Sequence, residues 1–176
     1  MPDSPTIDAT IGGTAANSYQ ELTVADSYFV ERLNVNAWHD AAPDDKKRAL
    51  IMATRRLNRE NWYGERVSST QNLAWPRIGA IKPDSPAGGG LGEFYGYGEC
   101  YLTTEIPDLV KHAQCELALA LLSGFEDDDS DTIEEFAESG GMRVKFRSTR
   151  INGALPASVT RLIAPLLAGD LMLVRG

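Results

Sequence analysis

The apolar positions sort the chain into four helical windows and one alternating window. Ala25, Tyr28, Phe29 and Leu33 recur three and four apart, which predicts a helix over residues 24–34. Thr23, three positions before Asp26, reads as a capping box with Asp in the usual Glu position. A second helix opens at Pro43 and runs to about Glu60. Proline has no amide hydrogen to waste there, and Asp44 and Asp45 face the positive end of the dipole. Leu50, Ala53 and Leu57 line one side of it, while Arg48, Arg55 and Arg59 mark another. A third helix starts at Pro107 and stops at Gly124. Its run Leu117–Leu122 is apolar all round, which predicts the centre of the core. Met142, Val144 and Phe146 alternate with Arg143, Lys145 and Arg147, the period of a strand. Pro156 begins a last helix with Val159, Leu162, Ile163 and Leu166 as its stripe, and Pro165 kinks it or ends it.

Between these windows, residues 61–105 show no periodicity. A segment of that length in a compact domain has work to do. It holds Trp62, the turn Ala74-Trp75-Pro76-Arg77 and the glycine-rich run AGGGLGEFYGYG. The aromatics among those glycines predict a β-hairpin, or an arm laid on a neighbouring subunit; Phe94, Tyr95, Tyr97 and Tyr101 are the candidate inter-subunit contacts. Pro76 restricts the chain before it to extended geometry, so Trp62, Trp75, Pro76 and Arg77 are read as the anchor of the loop's root. The alternative for Trp75 is a plain core tryptophan. Residues 1–20 are rich in Pro, Ser, Thr and Gly and read as an extended arm without its own core. The fold class is thus mainly α: about four helices, with a long loop or β-hairpin arm and a short strand near the C-terminus. The arm at 1–20, one helical domain at 21–168 and a tail at 169–176 complete the organisation.

Composition narrows the function. With 176 residues, 43% of them hydrophobic, the chain can bury one core. The net charge is −8, and residues 126–138 alone carry eight carboxylates and no cation, so the rest is nearly neutral. That stretch is read as one short exposed helix on a solvated or repulsive surface, with Asp127, Asp128, Asp129 and Asp131 at its centre. It is no calcium loop, because no glycine falls at the sixth position whichever aspartate starts the count. Such an acidic chain does not read as a general nucleic-acid binder. Two cysteines build no disulfide framework, the N-terminus has no secretory signal, and the apolar runs are too short to cross a bilayer. A soluble protein with no membrane partner is expected.

Reactive groups are sparse. His112 and Cys115 lie three apart on the third helix, but two ligands cannot close a zinc site, and the pair makes a poor nucleophile. The glycine run matches neither a phosphate loop nor a dinucleotide fingerprint. No catalytic residue, metal or cofactor is predicted.

One resemblance stands beside this reading. Its residues are Ala16-Asn17-Ser18-Tyr19, then Ala25-Asp26-Ser27-Tyr28-Phe29, Trp38, Lys47 through Leu57, and Trp62-Tyr63-Gly64. Gln71 through Arg77, Ile106-Pro107 and Ala113 through Leu122 follow. In that order they resemble tailed-bacteriophage proteins labelled "DnaT-like single-stranded DNA-binding", which belong with head–tail connector (adaptor, or head-completion) proteins. The likeness covers about residues 14–124. It implies a non-enzymatic virion subunit that forms a ring with itself, twelvefold, beneath the portal protein. It also implies a tail-proximal stopper or terminator as partner, and genomic double-stranded DNA passing through the lumen. On that reading Leu171, Met172, Leu173 and Val174 would dock on the portal by strand addition, and the aspartates would repel DNA. The alternative is a single-stranded DNA-binding replication protein, with Trp62, Tyr63 and Trp75 as stacking platforms and Arg55, Arg56 and Arg59 as the basic groove.

Overall fold

The third of the anticipated helices, now α4 (Asp108–Leu122), is the element around which the others are arranged. The computed structural model describes residues 4–83, 99–125, 134–139, 142–147 and 155–168. Among them the fold is mainly helical. α1 (Leu22–Val30), α2 (Asn36–Asp40) and α3 (Pro43–Leu57) precede α4, and α5 (Ala157–Ile163) follows it. Two small antiparallel pairs complete it: β1 (Glu65–Arg66) with β2 (Arg77–Ile78), and β3 (Glu134–Ser139) with β4 (Met142–Arg147).

α4 packs on α3 and on α5. α3 turns Ala49, Leu50, Ala53 and Leu57 inward, and α4 buries Val110, Ala113, Leu117 and Ala118. The alanines let the two backbones approach, and each buried leucine contributes roughly 2 kcal/mol before entropy. One buried polar contact sets how the helices sit: Gln114 Nε2 donates to Thr54 Oγ1 (2.8 Å), the Leu50 carbonyl (3.1 Å) and Ser18 Oγ (2.7 Å). At its C-terminus α4 stops as a Schellman turn. Gly124 has φ +86°, its N–H bonds the Leu121 carbonyl, and the Phe125 N–H bonds that of Ala120.

Several expectations need correcting. α1 begins at Leu22 after Glu21, with no side-chain cap. Thr23 lies inside it, and Asp26 instead accepts from Trp38 Nε1 (2.8 Å) and Lys46 (3.3 Å). Leu33 lies beyond the helix, 80% exposed. α2, too short to show a period, brings Trp38 against Phe29 with ring centroids 4.4 Å apart. α3 ends at Leu57, three residues early. The fully buried part of α4 is its middle, whereas Ala120, Leu121 and Leu122 are half-buried. The segment read as an arm is not independent of the core, since Ala16, Ser18, Tyr19 and Gln20 are all buried. The period-two strand is present as β4. Its partner β3 lies in the acidic stretch where a helix was expected, with Glu134 in register with Arg147 and Glu138 with Arg143. Pro165 does end the regular part of the last helix, which continues only as a 3-10 turn, Ala164–Leu166. No described helix is long and apolar enough to cross a membrane.

Candidate nucleic-acid interface

The turn Ala74-Trp75-Pro76-Arg77 is folded into the protein. Trp75 is 0% exposed and stands edge-on to Trp62 and to Tyr101, at 5.7 and 5.9 Å between ring centroids. The Trp75–Pro76 peptide is cis. Asn58, just past α3, accepts from the Ala74 N–H (2.9 Å) and from the Tyr19 hydroxyl (2.5 Å). Gln71 Nε2 donates to the Leu73 and Pro76 carbonyls from the other side. Trp62 Nε1 donates to the Leu57 carbonyl (2.9 Å). Trp62, Trp75 and Pro76 are therefore core residues, tied to the end of α3.

Arg77 sews the two sides of this region together. Its guanidinium donates to the carbonyls of Tyr63 (2.8 Å), Ala74 (3.1 Å) and Trp62 (3.1 Å), and to that of Gly64. Partial burial, and after it the facing charge of Arg66, push its pKa down from the usual arginine range. Gly64 has φ +79°, and a Cβ there would run into the Ile78 carbonyl oxygen, so this crossing admits only glycine. The result is a rigid corner that presents Tyr63, 46% exposed. Further along, the Lys82 N–H bonds the Glu99 carbonyl (2.7 Å) and the Tyr101 N–H that of Ala80 (2.8 Å), so the two described ends of the long loop pair with each other. Phe94, Tyr95 and Tyr97 lie outside the described residues. Tyr101 is half-buried on Trp75.

Charge is partitioned along α3. At its start Lys46, Lys47 and Arg48 pair with Asp26, Asp44 and Asp45. Elsewhere Arg32, Lys82 and Lys111 pair with Glu116, Glu99 and Asp108. At the end of α3 and in the hairpin it feeds, Arg55, Arg59 and Arg66 are exposed and make no ion pair or side-chain hydrogen bond among the described residues. Arg66 stands opposite Arg77 in the β1–β2 register. Like charges facing each other are destabilising, so this is a local concentration of positive charge held against a cost. Glu60 is half-buried, and burial raises its carboxyl pKa. Arg56, by contrast, lies over the Phe125 ring.

Of the six residues proposed from sequence for a single-stranded DNA site, Arg55, Arg59 and Tyr63 are exposed. Trp62 and Trp75 cannot stack on bases because they are buried, and Arg56 is engaged with Phe125. Arg66 was missed. Its only signal is its position opposite Arg77, which exists once the hairpin does. His112 and Cys115 do not converge: the histidine ring lies on Tyr28, while Cys115 is buried against Gln20, its thiol pKa pushed up to about 12. Asp127, Asp128, Asp129, Asp131 and Leu171, Met172, Leu173 and Val174 lie outside the described residues.

A family model described as "Putative DnaT-like ssDNA binding protein" matches residues 6–176. No curated protein and no solved structure matches the chain. The match overturns the head–tail adaptor reading: its description is of single-stranded DNA binding, with no ring, portal or tail stopper and no passive double-stranded DNA channel. The family label in the resemblance agrees with this match, and the buried residues that carried much of it show why the adaptor role did not follow. Ala16, Phe29, Trp38, Leu50, Leu57, Trp75 and Leu117 are buried, so they specify how the fold packs and not what it assembles with.

Proposed function

The chain belongs to the DnaT-like ssDNA binding family, and from that premise we propose that it binds single-stranded DNA through the corner around Tyr63. The observation that carries this reading is that Arg55, Arg59 and Arg66, exposed and without carboxylate partners among the described residues, flank the exposed Tyr63 in the chain at the end of α3 and in β1. Arginines contact phosphates without reading sequence, and an aromatic face stacks on any base. The corner is stiff because Arg77, Gly64 and Asn58 tie it to α3, so little ordering entropy opposes binding. The bulk charge of −8 weighs less than the local field, since charges beyond a Debye length, about 10 Å at 0.1 M salt, are screened.

The test is fluorescence anisotropy with a labelled oligothymidylate across a salt series. Three phosphate contacts on a single strand give log K against log salt a slope of roughly −2. Replacing one of these arginines with alanine weakens binding and reduces the slope by roughly 0.7. The reading fails if the wild type does not bind at low salt, or if the triple variant binds as well as the wild type.

A further inference from the structure

Beside the exposed ring is a cavity of about 260 Å3, with Tyr63, Ala80, Ile81, Pro165, Leu166 and Leu167 as its walls. Apart from the Tyr63 hydroxyl, none of these side chains has a hydrogen-bonding group. The walls are preformed by backbone contacts from three parts of the chain. The Tyr63 N–H bonds the Leu166 carbonyl (2.9 Å), the Ala168 N–H bonds the Asn61 carbonyl (2.8 Å), and Trp62 and Ile81 make bridges to Leu167 and Cys100. Arg77 reaches the Tyr63 carbonyl from the hairpin side, with Arg66 opposite it in register.

An apolar slot with one aromatic wall suits a flat base, and Arg59 and Arg66, exposed and unpaired among the described residues, stand four and three positions from Tyr63 along the chain, where phosphates of the same strand could meet them. We propose that this cavity takes one unstacked nucleobase of the bound strand, laid on Tyr63, while its flanking phosphates lie towards Arg66 and Arg59. The inference rests on the single-stranded DNA reading and adds to it a discrete base site. Lacking side-chain donors or acceptors beyond one hydroxyl, the slot accepts any base small enough to enter and does not read base edges.

Three variants of the full chain test this against an oligothymidylate and against an abasic oligonucleotide of equal length. Tyr63→Ala removes the aromatic wall, Ile81→Trp fills the slot while leaving the tyrosine, and Tyr63→Phe keeps the ring. The first two are expected to weaken oligothymidylate binding roughly tenfold and the third hardly at all, since stacking on one aromatic has that order of effect. None should change binding to the abasic strand. A strand carrying one 2-aminopurine should lose fluorescence with wild type and recover it with Ile81→Trp. If wild type binds oligothymidylate and Ile81→Trp, melting as the wild type does, binds it equally well, the base site is refuted while single-stranded DNA binding stands. If wild type does not bind oligothymidylate at all, both fall together.

Discussion

Arg66 and Arg77 face each other across a ladder only two residues long, yet only one of them is committed to the fold. Arg77 donates to four backbone carbonyls on the two sides of the corner, and Arg66 makes no side-chain hydrogen bond among the described residues. Arg77→Ala is therefore expected to cost about 2 kcal/mol in urea unfolding, because charge-assisted bonds are lost and partly buried carbonyls are left without donors. Arg77→Lys should recover little, since an ammonium cannot span four carbonyls as the planar fork does. Arg66→Ala should leave the unfolding midpoint unchanged or slightly higher while weakening oligonucleotide binding. Equal loss of stability in both variants would refute this division.

Trp75 is a core residue, and its substitution should act as one. Trp75→Ala is expected to destabilise the chain by about 4 kcal/mol, the range for deleting a buried indole. Trp75→Phe should cost distinctly less: it keeps most of the edge-on contact with Trp62 and Tyr101, and it removes an indole N–H that has no acceptor among the described residues. Chemical denaturation of the two variants decides the matter; a Trp75→Ala protein as stable as wild type would show that the ring is not packed as described.

Glu116 gives the fold an acid limit. It is nearly buried on α4 and accepts from Arg32 Nε (2.7 Å) and Nη2 (3.1 Å) and from the Tyr28 hydroxyl (2.7 Å), which ties α1 to α4. The Arg32 hydrogen bond, more than the opposing effect of burial, holds its carboxyl below the ordinary value of 4.5. A depressed folded pKa means that the unfolded chain takes up the proton first on acidification. The stabilisation is thus fully present above about pH 4.5 and is lost as pH falls through the folded value. Thermal melts between pH 7 and pH 3 should show the wild type losing more of its Tm than Glu116→Gln does. Parallel curves would remove Glu116 from the acid transition.

The sequence by itself determined the helical architecture. Proline at a helix start, glycine at a helix end and a 3.6-residue apolar stripe are local signals, so α3, α4, α5 and the stop at Pro165 were legible within a residue or a few. So was β4, from its period of two. What only the tertiary structure decided depends on partners distant in the chain. Asp26 looked like a helix-capping residue until Trp38 and Lys46 reached it. Ala16 to Gln20 looked like an arm because burial by α4 leaves no periodicity in an extended segment. Trp62, Tyr63 and Trp75 are alike as letters, and packing alone separates the two buried rings from the exposed one. Arg55, Arg59 and Arg66 differ from the cations at the start of α3 because carboxylates reach Lys46, Lys47 and Arg48 and do not reach them among the described residues. A local pattern fixes which face of an element is apolar; which groups remain free for a ligand is settled only when every neighbour has been placed.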